Sequence, residues 1–239
     1  MKQRLDQVLA QRQLVTSRSQ AESYIKLGKV KLNGKVALKP GTMVDERDLV
    51  EMQALEQYVS RAGLKLASVA TTLNLDFRDA VVLDVGSSTG GFTDYALKHG
   101  AQKSIAVELG SDQLHPLLRG NPQIELHEKT DIRTFKTDQI IDIVVADVSF
   151  ISLREILPHV ATLCTKQTRI VAMVKPQFEA GQSEFKHKGV VKNDKMRREI
   201  LKDFEVWVKR NFIITDKADS EVSGAKGNQE RFYLLKKSA

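Results

Sequence analysis

Val81-Val82-Leu83-Asp84-Val85-Gly86-Ser87-Ser88-Thr89-Gly90-Gly91-Phe92 is a short apolar run that reaches an acid and passes directly into a glycine-rich turn. A run of this kind reads as a buried strand that delivers a nucleotide-like ligand to the start of a helix. Gly86, Gly90 and Gly91 lack a Cβ, so the backbone can turn tightly and approach a ligand closely. The spacing departs from G-x-G-x-x-G, because Ser88 stands at the second glycine. No Gly-Lys-Ser/Thr follows, which excludes a Walker phosphate loop. The segment predicts an α/β fold around a nucleoside, and by itself leaves a dinucleotide and S-adenosylmethionine (SAM) both open.

Further along the chain, β-type apolar runs recur at Ser104 to Glu108, Ile124 to Glu128, Ile141 to Asp147, Arg169 to Val174, Ile213 to Asp219 and Phe232 to Lys236. Helical spacing fills most of the gaps, so a seven-stranded, mostly parallel sheet with helices on both faces is predicted. The last two runs have no helix between them, and the final strand is expected to enter antiparallel as a hairpin partner. Ligands of such sheets lie beyond the carboxyl ends of the strands, where Asp84, Glu108, Asp131 and Asp147 fall. Glu108 suits both hydroxyls of a ribose and Asp131 an adenine amino group. A second-strand acid serves either cofactor, so Glu108 does not separate them.

Upstream, the charge is uneven. The chain has 239 residues, 37 basic and 30 acidic. Nine of the basic residues but only two of the acidic ones lie in the first 40, leaving 28 of each for the remainder. A basic segment on a neutral body points to a polyanion-binding module, since neutralising phosphates releases counterions. In the same stretch Leu5, Val8 and Leu9 share a helical face, a second helix is predicted from Ser19 to Leu27, and Gly28 closes it. Val30 to Leu32 and Leu49 to Met52 read as short strands, with Asn33-Gly34 as a tight turn. These make a small α+β unit over residues 1–55, and a helix from Ser60 to Thr72 opens a larger unit over 56–239.

Composition excludes several classes. A single cysteine, Cys164, rules out an internal disulfide framework and a cysteine-based zinc site, and its place at the end of an apolar helical pattern reads as a buried thiol. The N-terminus is charged from Lys2 onward and has no secretory core, and no apolar run is long enough to span a bilayer. A cytoplasmic protein is expected, without metal.

The N-terminal order R-L-D-x-x-L, S-R-x-x-A-x-x-Y-I-x-x-G-x-V-x-x-N-G, then K-P-G, resembles the S4 RNA-binding domain over Arg4 to Met52. That resemblance implies that Arg4, Arg18, Lys26, Lys29 and Lys31 hold structured RNA through its backbone and shape. Y-V-S-R-A-G-L-K-L at 58–66, D-V-G-S-S-T-G-G-F at 84–92, A-D-V-S-F-I-S-L at 146–153, V-K-P-Q-F-E at 174–179 and S-E-V-S-G-A-K-G-N-Q-E at 220–230 resemble the TlyA family. Its members join an S4 domain to an FtsJ-type SAM-dependent ribose methyltransferase, and many carry the label hemolysin. The resemblance covers almost the entire chain and implies a class I, Rossmann-like methyltransferase domain. It also implies SAM contacts from Asp84, Gly86, Gly90, Phe92, Glu108, Asp131 and Asp147, with Phe92 keeping an aromatic surface for the cofactor.

The resemblance carries a Lys-Asp-Lys-Glu tetrad onto Lys65, Asp147, Lys175 and Glu221. These residue types suit methyl transfer to a ribose 2′-hydroxyl, where the enzyme must align a nucleophile and help remove its proton. Crowding Lys175 against Lys65 in a dry pocket disfavours the charged amine, so Lys175 is assigned as general base, Lys65 as its partner, and the acids as organisers. An amino-group methyltransferase is disfavoured, because Asp147-Val148-Ser149-Phe150 stands where N-P-P-Y or D-P-P-Y would mark one. The expected substrate is ribosomal RNA or a ribosomal subunit, methylated at a cytidine 2′-oxygen. The alternatives are a membrane-active hemolysin and a non-catalytic RNA-binding or ribosome assembly factor.

Overall fold

The computed structural model describes residues 2–238 except 16, 54–57, 181–189, 192 and 225–226. The expected boundary between 55 and 56 therefore lies outside the described residues.

The N-terminal unit begins with β1 (Gln3–Arg4), α1 (Leu5–Gln11) and α2 (Arg18–Lys26). Ser17 is extended, and its Oγ accepts a hydrogen bond from the Gln20 amide at 3.2 Å, the N-cap that starts α2. β2 (Val30–Leu32) and β3 (Lys35–Val36) form a hairpin over Asn33 and Gly34, whose φ values of 51° and 75° are those a tight hairpin turn needs. β4 (Met43–Val44) pairs with β1, and β5 (Val50–Met52) pairs with β2. Leu5, Leu9, Ala21, Tyr24, Ile25 and Val30 form the core of this unit.

The second unit runs α3 (Arg61–Ala70), β6 (Val81–Val85), α4 (Gly91–Lys98), β7 (Lys103–Val107), β8 (Ile124–His127), β9 (Ile143–Ala146) and α5 (Leu153–Thr162). It continues with β10 (Arg169–Val174), the single turn α6 (Pro176–Glu179), α7 (Asp194–Val208), β11 (Phe212–Asp219) and β12 (Arg231–Lys237). The sheet order is β11-β12-β10-β9-β6-β7-β8. β12 runs antiparallel to β10 and β11, while the other pairs are parallel. The seven strands and the antiparallel last strand agree with the sequence expectation. The fourth strand, Ile143–Ala146, is shorter than the expected 141–147; at its start the Asp142 carboxylate accepts from the Val81 amide at 2.8 Å.

Side chains alternate across the sheet with the two-residue strand period. Val82, Val145, Val171 and Met173 pack with Leu64, Leu66, Phe92 and Tyr95 of α3 and α4. Leu83, Val85, Val144 and Ala172 pack on the opposite face with Leu157, Val160, Leu201 and Phe204 of α5 and α7. The α3 side also takes in Leu5, Tyr24 and Ile25, so apolar packing is continuous from the N-terminal unit to the sheet. Cys164 is buried among apolar groups, and burial pushes its thiol up to about 11. Successive strands step outward from β6 to β7 and β8, then return to β9 on the other side of β6, which opens a crevice at their carboxyl ends.

Candidate active site

That crevice is a cleft of about 780 Å³ whose wall includes Gly86, Ser88, Glu108, Asp131, Asp147 and Phe150. Gly86 has φ of 77°, and a Cβ there would meet the Asp147 carbonyl oxygen at 3.1 Å. Glycine at this position lets the turn after β6 approach the end of β9. Gly90 has φ of 84°, and a Cβ would fall 2.5 Å from Leu118 Cδ1 and 2.7 Å from Leu114 Cδ1. It shapes the turn without being part of the cleft wall.

Glu108 follows β7 and is fixed by the turn opposite, its Oε2 accepting from the Ser88 amide at 2.9 Å and its Oε1 from the Gly110 amide at 2.7 Å. Asp131 also reaches the wall, but Arg133 covers it with Nε at 3.0 Å from Oδ1 and Nη2 at 2.6 Å from Oδ2. The Arg133 guanidinium and amide hold the Asp131 carboxyl below the usual carboxylate range.

Asp84 is only 1% exposed and lies behind the cleft wall. Its Oδ2 accepts from the Thr93 amide at 3.0 Å and the Thr93 hydroxyl at 2.7 Å, pinning the first turn of α4 to β6. Oδ1 of Asp84 and Oγ of Ser87 are buried without a hydrogen-bond partner among the described residues. Burial is the main force on the Asp84 carboxyl; the Thr93 hydrogen bonds oppose it, Asp147 and Glu108 add repulsion, and the group is pushed up to about 7. Three acids converging on one turn suit a cationic ligand and repel a diphosphate, a distinction that the glycine spacing alone does not make.

Phe92 corrects one expectation. It is 2% exposed and packs against Phe232 with ring centroids 6.0 Å apart, within the layer under α3 and α4. As the second residue of α4 it faces the core, so it anchors the helix and offers no aromatic surface to the cleft.

Lys175 follows β10, and its Nζ lies 2.5 Å from Oδ1 of Asp147 and donates to Ser149 Oγ at 2.8 Å. Nearby, Lys65 Nζ donates to Glu230 Oε1 at 2.9 Å, with both side chains less than a tenth exposed. Burial raises the Glu230 carboxyl; Lys65 opposes the rise, Asp147 adds to it and Lys175 opposes it, so all four groups share one field.

The acid that the structure brings together with Lys65, Asp147 and Lys175 is Glu230, where the sequence led to the expectation of Glu221. Glu221 is exposed, and its amide donates to Ser68 Oγ of α3 at 3.3 Å. The signal for Glu230 lies in strand pairing. Val174 pairs with Arg231, and one further step along both strands sets Lys175 opposite Glu230.

Two other residues escaped the sequence reading. Ser149 bonds Lys175 directly, and Phe150 stands 92% exposed at the rim of the cleft with φ of 66°. A bulky residue in the left-handed region carries strain, and it is a cue to function that no sequence pattern displays. Phe150 packs on Phe178 of α6 with centroids 5.3 Å apart, and Lys175 Nζ lies 5.9 Å from the Phe178 ring.

On the N-terminal unit, Arg4 and Arg18 both converge on the buried carboxylate of Asp6. Arg4 donates through Nε at 3.0 Å and Nη2 at 2.9 Å, and Arg18 through Nε at 2.9 Å. Their side chains remain 41% and 50% exposed, so each keeps donors in solvent. Lys26 and Lys29 are exposed and Lys31 is half-buried.

Sequence and structure comparisons agree with this fold. The FtsJ-like methyltransferase family matches residues 58–237, and the S4 domain matches residues 3–50. The 23S rRNA (cytidine-2′-O)-methyltransferase TlyA of Campylobacter jejuni is 40% identical over 77% of this chain and 72% of its own. The 16S/23S rRNA (cytidine-2′-O)-methyltransferase TlyA of Mycobacterium tuberculosis is 34% identical over 98% of this chain and 89% of its own. A solved structure described as a hemolysin from Streptococcus thermophilus superposes with a TM-score of 0.73 at 34% identity, covering 99% of this chain and 89% of that one.

Proposed function

The chain belongs to the FtsJ-like methyltransferases that carry an N-terminal S4 domain, and from that premise we propose that it transfers a methyl group from SAM to a cytidine 2′-hydroxyl of ribosomal RNA. Residues 1–55 hold the RNA and residues 56–239 carry the chemistry, acting in the cytoplasm on ribosomal RNA or a ribosomal subunit. The observation that carries the reading is Lys175 Nζ, held by Asp147 and Ser149 at the edge of an acid-lined cleft.

The residues present fit SAM. The unpartnered Asp84 Oδ1 and Ser87 Oγ, with the Asp147 carboxylate, suit the cationic amino-acid end, and Glu108 suits the ribose. Asp131 would serve adenine only in competition with Arg133. When bound, SAM supplies an electrophilic sulfonium methyl that needs no further activation.

The chain's own task is then to hold the acceptor hydroxyl and take its proton. Lys175 Nζ, in its uncharged form, accepts that proton, as general base. Asp147 and Ser149 fix the direction of Nζ, and Asp147 stabilises the ammonium once the proton has moved. The Lys65–Glu230 pair contributes a buried ammonium that favours a developing alkoxide nearby, with Glu230 holding Lys65 in place. Phe150 offers an exposed ring on which the acceptor base stacks, a mode every base can use. On the S4 side, the solvent-facing donors of Arg4 and Arg18, with Lys26, Lys29 and Lys31, meet phosphates and fix the register of the RNA.

Incubating the purified protein with isotopically labelled SAM and unmodified ribosomal subunits tests the reading, with 2′-O-methyl sites mapped on the RNA. Label at a cytidine 2′-oxygen supports it, and label on a base or no transfer refutes it. The hemolysin name of a relative finds no counterpart in a helix long and apolar enough to cross a membrane among the described residues.

A further inference from the structure

The turn that carries Lys175 also ends in an acid that the tetrad does not use. Glu179 is 6% exposed and lies one helical turn after Lys175, in α6. Its Oε2 accepts from Ser152 Oγ at 2.6 Å, its Oε1 accepts from the Leu153 amide at 2.7 Å, and Arg154 Nε lies 3.4 Å from Oε2. Leu153 is the first residue of α5, so Glu179 satisfies an amide that the helix leaves without an internal partner. A carboxylate at that end also suits the helix dipole.

One turn of chain thus grips the segment 147–153 at three points. Lys175 takes Asp147 and Ser149, Phe178 packs on Phe150, and Glu179 takes Ser152 and Leu153. Between the outer grips sits Phe150 in its left-handed conformation, which persists only where neighbours over-determine it. Pro176 fixes φ at the start of the turn, so the spacing from Lys175 to Glu179 is set by a stiff element.

We propose that Glu179 is a positioning residue for methyl transfer: by anchoring the start of α5 it holds Ser149 against Lys175 and Phe150 at the rim of the cleft. It touches neither the reacting atoms nor the SAM side of the cleft. The catalytic part of this inference rests on the reading of Lys175 as general base; the clamp itself rests only on the contacts above.

Two readouts on the full-length protein test it. Hydrogen exchange of the free protein reports the clamp without any assay of activity. Glu179→Gln keeps the side-chain length but removes the charge and, even with Ser152 turned to accept, sets an amide donor against either the Leu153 amide or the Arg154 guanidinium, so exchange across 147–153 is expected to speed up at least tenfold, with 84–92 unchanged. Ser152→Ala, which leaves the Leu153 bond intact but removes both the contact to Glu179 and the cap that Ser152 Oγ gives the Arg154 amide at 3.1 Å, is expected to do the same to a smaller degree and guards against misfolding of the first variant. Unchanged exchange in both variants overturns the proposal.

The second readout is steady-state methylation, with kcat corrected for the folded fraction. Glu179→Gln is expected to lower kcat about tenfold and to move the ascending limb of its pH profile, while KM for SAM stays within twofold. Glu179→Asp is expected to recover part of the loss. A role confined to stabilising α5 predicts an unchanged kcat per folded molecule and an unmoved pH profile, and that outcome also overturns the proposal. If the parent protein transfers no methyl group but exchange still rises in the variants, the clamp stands and the methyltransferase reading fails.

Discussion

Lys65 Nζ donates to Glu230 Oε1 at 2.9 Å across 165 residues of sequence, with both side chains almost fully buried. The pair ties α3, which leads out of the N-terminal unit, to the residue that leads into β12. Removing one partner leaves the other charge buried alone, which costs more than a well-made pair contributes.

Glu230→Gln is therefore expected to lose about 3 kcal/mol of stability and at least tenfold in kcat. Glu221→Gln, on the exposed loop, is expected to stay within twofold of the parent in rate. The double variant Lys65→Met/Glu230→Leu is expected to recover most of the stability while remaining inactive, because apolar replacement removes both desolvation costs. Urea denaturation and methylation kinetics on the three proteins check this; a Glu221→Gln defect as large as that of Glu230→Gln contradicts the assignment.

Phe150 separates strain from function. Its left-handed backbone costs roughly 1 kcal/mol, and glycine removes that cost while forfeiting a ring contact with Phe178 of similar size. Phe150→Gly should leave stability within about 1 kcal/mol of the parent. It should also raise KM for RNA about tenfold, as loss of one stacked base would do. Thermal melts and RNA titration of the rate give the two numbers.

The Asp84 carboxyl predicts a proton linkage. Burial, with repulsion from Asp147 and Glu108, pushes it up to about 7 from 3.8 in spite of two hydrogen bonds from Thr93. The folded protein thus keeps a proton that the unfolded chain releases between these values, so stability falls as pH rises through that window. A bound cation favours the ionised carboxylate, so SAM binding near pH 7 should release up to half a proton, and affinity should rise with pH from about 5 to about 7.5. Calorimetry in two buffers of different ionisation enthalpy measures the release, and Asp84→Asn should abolish it.

Asp6 sets the geometry of Arg4 and Arg18, the arginines proposed to meet RNA. Burial pulls its carboxyl upward, but hydrogen bonds and charge from Arg4 and Arg18 outweigh burial and hold it below the usual range. A depressed carboxyl contributes stability above its unfolded value, and that contribution is lost as pH falls through the folded one. Asp6→Asn should cost about 1–2 kcal/mol, kept small because both arginines are half exposed. It should also weaken RNA binding several-fold with the salt slope nearly unchanged, since both cations remain. Arg18→Ala should reduce that slope by about one. Filter binding across a salt series distinguishes the two.

Much of the fold was legible because strand runs such as Val81 to Val85 are apolar on both faces and are punctuated by glycine. Asp147 was legible for the same reason, since it follows directly on a buried strand, whereas Lys175 was carried over from the family resemblance. Glu230 was misread as Glu221, because both lie in one polar glycine-containing stretch and only the antiparallel pairing of β12 with β10 says which faces Lys175. Phe92 was misread because the aromatic ring and the glycine turn are adjacent in sequence, while the helix geometry that turns the ring into the core is not. Ser149, Phe150 and Glu179 were missed because their roles depend on contacts between the 147–153 segment and α6, which share no periodicity.

The central claim is that Lys175 removes the proton from a ribose hydroxyl. The most direct measurement is single-turnover methyl transfer from labelled SAM to ribosomal subunits by the parent protein and by Lys175→Ala, with the 2′-O-methyl site mapped. The account predicts label at one or more cytidine 2′-oxygens with the parent, and a rate at least a hundredfold lower for Lys175→Ala with SAM affinity held within a few-fold. A Lys175→Ala protein that transfers methyl at the parent rate would contradict it.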